Sequence, residues 1–169
     1  MQKRLNHLSK IKINKSIVDA VVFGSYIKGK EVPRDIDIAL ITDDPGANLD
    51  FKAHISRLTP REFFNPKTSL ANTLVKEGYS LRNKMFVSEA WGFKNRVMFS
   101  YDLSGLSQTM KVQAIYALKG RDGKSGILKN KAEWISNNTF MIEVFMEYDI
   151  SAVLHKFNVP YKKYYMLIY

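Results

Sequence analysis

Val21-Val22-Phe23-Gly24-Ser25 and, eleven positions after the glycine, Asp35-Ile36-Asp37-Ile38 decide how this chain is read. The run from Ile17 to Phe23 is rich in β-branched residues, and it predicts a strand that stops at the Gly-Ser turn. The second run predicts a strand with both carboxylates on one face, because successive strand side chains point to opposite sides. Ile36, Ile38 and Leu40 then face a core. Two carboxylates side by side repel each other, and burying them unpaired is costly. A divalent cation relieves both problems, and hard oxygen ligands suit Mg²⁺ or Mn²⁺. Gly24 lets backbone N–H groups approach an anion and Ser25 adds a hydroxyl donor, so the turn can hold a nucleotide's phosphates beside the metal.

A hydrophobic residue, Gly-Ser, and then an acid–hydrophobic–acid–hydrophobic strand at this spacing resembles the nucleotidyltransferase superfamily. That superfamily includes DNA polymerase beta, the CCA-adding enzymes and the minimal nucleotidyltransferases. Lys28 and Gly29 fall where many minimal members carry a basic residue and a glycine, while Arg34 stands where a serine is common. The likeness covers residues 16–42 and extends more loosely to about 103. It implies transfer of a nucleoside monophosphate from an NTP, ATP included, to an acceptor with release of pyrophosphate. On that likeness Asp35 and Asp37 hold the metal, Gly24 and Ser25 hold the β- and γ-phosphates, and Lys28 or Arg34 offsets their charge. The family also uses a third carboxylate on a neighbouring strand. Asp102, in Val97-Met98-Phe99-Ser100-Tyr101-Asp102-Leu103, is the expected one, with Glu89 as its competitor. The alternative for Asp102 is an acid that closes a strand and caps a helix starting near Leu106.

Composition narrows the remaining classes. The chain has 169 residues, 46% of them hydrophobic, enough for a packed core. It has no cysteine, which excludes disulfide scaffolds and thiolate metal sites and fits a reducing compartment. No apolar run is long enough to span a bilayer and the N-terminus lacks a signal-peptide core, so a cytoplasmic protein without a membrane partner is expected. Net charge is +10, with 26 basic against 16 acidic residues spread along the chain, as on a basic folded surface. Such a surface concentrates phosphate polymers, which favours an RNA or DNA acceptor over a protein one. The rival functions are a non-catalytic nucleic-acid-binding module on the same fold and an antitoxin-like enzyme that adds nucleotides to a protein partner.

The order of elements predicts an α/β (α+β) fold: a small mixed sheet with packed helices over 1–103 and an αβ extension of unknown role over 104–169. Leu5, Leu8 and Ile11 suggest a short amphipathic helix, and Phe51, Ile55 and Leu58 are spaced for one helix face. Thr59-Pro60-Arg61-Glu62 is a capping box with proline at the first helical position. Asn65-Pro66 restarts a helix through Leu70, Leu74 and Val75, which Gly78 ends. Strands are predicted near 85–87 and 96–103, and a helix over 106–118. Strands at 126–128, 132–135 and 140–145, a hairpin turn at Asn137-Asn138, a helix over 151–157 and a strand over 161–169 complete the chain. The basic loop Lys119–Gly126 ends like a P-loop, but residue 118 is Leu where that pattern needs its first glycine. Asp43 and Asp44 read as turn residues, the aromatics of the extension read chiefly as core, and His7, His54 and His155 are assigned no role.

Overall fold

The computed structural model describes residues 5, 8, 11–31, 33–65, 69–121 and 125–169. The chain divides into two compact units, Met1–Asn95 with Leu167–Tyr169, and Arg96–Met166. The fold is α+β, with two sheets and four helices among the described residues. The division falls before the expected 103/104 boundary because the strand at Lys94–Tyr101 pairs within the second sheet and not the first.

The first unit is built on a five-stranded mixed sheet, ordered β3-β2-β1-β4-β5. β1 is Ile17–Phe23, β2 Asp37–Thr42, β3 His54–Leu58, β4 Tyr79–Ser80 and β5 Met85–Phe86. β1 runs antiparallel to β2 with Phe23 opposite Asp37, and β3 lies parallel to β2 with His54 opposite Asp37. β2 is therefore central and buried from Ile38 to Thr42, apolar on both faces rather than on one. On one face Val21, Ala39, Ile41 and Leu58 pack against Phe63, Ala71 and Leu74 of helices α1 (Pro60–Phe64) and α2 (Ser69–Glu77). On the other, Ala20, Val22, Ile38 and Leu40 are fully buried. Each such aliphatic burial contributes roughly 1.5–3 kcal/mol.

Local sequence explains most of these elements. Thr59 caps α1 as a full capping box, its hydroxyl accepting from the Glu62 N–H while Glu62 accepts from the Thr59 N–H, and Pro60 opens the helix. Gly78 ends α2, where a Cβ would meet Leu74 O at 2.4 Å and Val21 at 2.6 Å. The helical spacing of Phe51, Ile55 and Leu58 misleads, because residues 54–58 form β3. Five residues cannot sustain a helix against a complete backbone ladder to β2. The expected N-terminal helix and the helix restart at Pro66 fall largely on residues outside those described; Leu8 is buried.

The second unit holds a four-stranded sheet, β7-β8-β6-β9. β6 (Lys94–Tyr101) alternates cleanly, with Val97, Phe99 and Tyr101 buried. β7 (Glu133–Ser136) and β8 (Thr139–Ile142) form the hairpin turned at Asn137-Asn138. β9 is Tyr161–Ile168, and helices α3 (Gln108–Lys119) and α4 (Glu147–Lys156) bury Ala114, Leu118, Ile150 and Leu154. Phe99 stacks on Phe140 with ring centroids 5.6 Å apart. Residues 126–128, expected as a strand, form a turn after α3, where Gly126 lies against Leu118 and Gly120 too closely for any Cβ.

Candidate functional site

The two sequence motifs meet at one end of the first sheet. β1 stops at Phe23 and Gly24 adopts φ +74°, the left-handed region that favours glycine. A Cβ at Gly24 would stand 2.5 Å from Oδ2 of Asp37, so only glycine leaves room for that carboxylate. Residues 24–29 then form a turn, with the Lys28 N–H donating to Gly24 O at 3.2 Å and the Lys30 N–H to Ser25 O at 3.1 Å. Tyr26 and Ile27 are buried and anchor it.

Beneath the turn lies Glu77, the last residue of α2 and almost fully buried. Its carboxylate accepts the Gly24 N–H at 3.1 Å and pairs with the Lys28 ammonium at 2.8 Å. The ammonium and the backbone donor offset the cost of burying that charge. Both groups were expected to face a nucleotide's phosphates. The sequence did carry a signal for Glu77, because a carboxylate in the last turn of a helix opposes the macrodipole and calls for a partner.

Asp37 opens β2 with its side chain 30% exposed, and its Oδ1 lies 3.1 Å from Nδ1 of His54 on β3. The sequence reading gives His54 no role, and His54–Leu58, with Ile55 as its one β-branched residue, carries little local strand signal that could have found it. Asp35 lies before the strand, exposed, and does not share a strand face with Asp37. The ladder begins one residue later, where the His54 N–H donates to Ile36 O at 2.9 Å. Arg34 is likewise exposed ahead of the strand, and Ser25 is half-buried in the turn.

Of the two strands beside β2, β3 supplies no acid, carrying His54 and Ser56 opposite Asp37 and Ala39, and the acid on β1, Asp19, lies opposite Ile41 near the other end. Asp102 belongs to the second unit, just past β6, and β6 is not a strand of the first sheet. Its carboxylate accepts the Ser104 N–H and the Ser104 hydroxyl, each at 2.8 Å, which holds it below the ordinary carboxylate range. The helix that follows is capped by Ser107 instead. Glu89 opens a 3₁₀ turn, Glu89–Trp91, and accepts the Phe86 N–H at 2.8 Å. Among the described residues no three acids or histidines gather into a set that could hold a metal by themselves. Asp35 and Asp37 are oxygen ligands of the type a hard cation such as Mg²⁺ takes, but Asp35 stands outside the strand that Asp37 opens.

In the second unit Lys119, Arg121, Lys129 and Lys131 lie around the α3–β7 connection; Asp122, Gly123 and Lys124 of the basic loop are outside the described residues. The Lys119 ammonium sits 4.0 Å over the exposed Trp134 ring, and the Arg121 guanidinium 5.6 Å from that of Tyr116. Phe140 is core as expected, whereas Trp134 and Tyr164 reach solvent. Among the described residues no helix is long and apolar enough to cross a membrane. No protein-family model, curated protein or solved structure matches the chain.

Proposed function

We propose that this chain is a metal-dependent nucleotidyltransferase, moving a nucleoside monophosphate from an NTP to an acceptor hydroxyl. The observation that carries the reading is the close packing of Asp37 against Gly24, with Asp35 exposed two residues earlier. The acceptor oxygen bonds to the α-phosphorus as the α,β-bridging bond breaks, pyrophosphate leaves with the electron pair, and the hydroxyl proton passes to solvent. A bound Mg²⁺ or Mn²⁺ would supply charge stabilisation to the phosphates. Asp35 and Asp37 are the residues that would hold it. His54 braces the Asp37 carboxylate from the β3 side, and Ser25, next to Gly24 in the turn, offers a hydroxyl donor. Positioning of this sort supplies much of what phosphoryl chemistry needs from a protein.

An RNA or DNA acceptor is favoured by the net charge of +10 and by the lysines beside exposed Trp134, since bases stack on aromatic rings while cations meet the backbone. A non-catalytic module is the second reading. It is favoured by Glu77, which already engages the Gly24 N–H and Lys28, and by the lack of an acid on β3. One experiment separates the two. The protein is incubated with each labelled NTP, Mg²⁺ or Mn²⁺, and RNA, DNA or cell protein, and the labelled product is sorted. The enzyme reading expects a labelled acceptor, lost in Asp35→Asn and Asp37→Asn with the circular dichroism unchanged. Full transfer by either variant overturns it.

A further inference from the structure

At the opposite end of the same sheet, about 13 Å along β1 from Phe23 at ~3.3 Å per residue, lies a cavity of about 170 Å³. A register shift between Ile17 and Asp19 bulges β1, leaving Val18 exposed and turning Asp19 onto the apolar face shared by Val21. Bulges re-aim side chains in this way. Asp19 is 9% exposed and lines the cavity together with Ser80 and Asn83. Its Oδ1 accepts the Ala20 and Arg82 N–H groups and its Oδ2 the Ser80 hydroxyl, which orders the β4–β5 turn.

Those bonds satisfy geometry but not charge. Among the described residues no cationic side chain pairs with Asp19, because the Arg82 guanidinium is spent on the carbonyls of Asn14 and Ile17. A carboxylate has about four acceptor sites, and three are used here. Ile41 and Val87 make apolar walls. Phe63, Phe64 and Trp91 form a ring cluster at the mouth, with centroids 5.3–6.4 Å apart. Phe64 and Trp91 remain exposed.

We propose that this cavity binds a small organic cation, an amine carrying one aromatic ring. The volume is below the ~300 Å³ at which drug-sized pockets begin, so it admits a single ring with a short tail. The ammonium reaches Asp19 and can use the remaining acceptors on Ser80 and Asn83, while the ring enters the aromatic mouth, where cations and π-faces also attract. A neutral ring gains the apolar contact alone, and an anion is repelled. The net charge of +10 does not forbid this, because exposed charges more than about 8 Å away are screened at physiological salt.

The test is an NMR titration of the full chain with phenethylamine, 2-phenylethanol and phenylacetate, following the Ser80, Asn83 and Trp91 signals. The expected result is saturable shifts with phenethylamine at about tenfold or greater preference over the alcohol, the smallest gain a charge-assisted hydrogen bond gives. Asp19→Asn should bring the two ligands to similar affinity. Equal affinity of amine and alcohol for the unaltered protein, or no shift with any of the three, overturns the proposal. Should Asp19→Asn fail to fold, Trp91→Ala at the exposed rim takes its place. It should weaken the amine severalfold with the fold retained, and unchanged affinity overturns the proposal equally. None of these outcomes depends on nucleotide transfer.

Discussion

Replacing Gly24 by alanine tests the geometry on which the candidate site stands. Two costs can be separated. The first is conformational: φ +74° holds an L-residue in the left-handed region, at about 1–2 kcal/mol. The second is contact: the new Cβ would lie 2.5 Å from Asp37 Oδ2, although 3.4 Å from Cγ and 3.6 Å from Cβ of the same residue. Only the carboxylate tip has to move, by a rotation that forfeits its bond to His54 and costs about 0.5–1.5 kcal/mol. Gly24→Ala should therefore lose roughly 2–3 kcal/mol in the unaltered chain, but only about 1–2 kcal/mol in an Asp37→Ala background. Urea unfolding of all four proteins gives the coupling, with m-values held constant across the set. Nucleotide transfer should fall further than stability, because the displaced oxygen belongs to a carboxylate proposed to hold the metal. Equal cost of Gly24→Ala in both backgrounds would refute the packing of Asp37 on this turn, and an unaffected melting curve would refute the strain as well.

Three other outcomes follow from named contacts. Glu77→Gln keeps an acceptor for the Gly24 N–H but removes the Glu77 charge from beside Lys28; because Lys28 is partly exposed, the loss should be about 1–2 kcal/mol in urea unfolding, and Glu77→Leu should lose more. Asp102 should titrate by NMR below the ordinary carboxylate midpoint of about 3.9, moving upward in Ser104→Ala. The sign is that of a depressed carboxylate: its contribution to stability is present above the ordinary range and is lost as pH falls through the lowered value. Removing charge at Lys119, Arg121 and Lys124 together should weaken RNA or DNA binding and flatten its salt dependence without abolishing NTP binding, as read by gel shift at low and moderate salt; unchanged affinity would move the binding face to Lys3, Arg4, Lys10, Lys12 and Lys15.

By itself, the sequence determined the elements whose information is local. β1 ends at Phe23 because a run rich in β-branched residues meets a glycine, α1 begins at Pro60 because Thr59 and Glu62 cap each other, and the β7–β8 hairpin turns at Asn137-Asn138. It also singled out Gly24, Ser25, Asp35 and Asp37 as candidates, since they are legible as a spacing. Tertiary structure decided everything that depends on which strands become neighbours. Residues 54–58 carry helix-like spacing, yet the free ladder of β2 captures them as a parallel strand, and only that pairing brings His54 to Asp37. The same pairing of distant segments places Glu77 under the Gly-Ser turn and carries β6, with Asp102 beyond it, into a separate sheet. Hydrogen bonds between strands far apart in sequence leave no periodic trace in either partner, so their consequences become readable only once the sheets have formed.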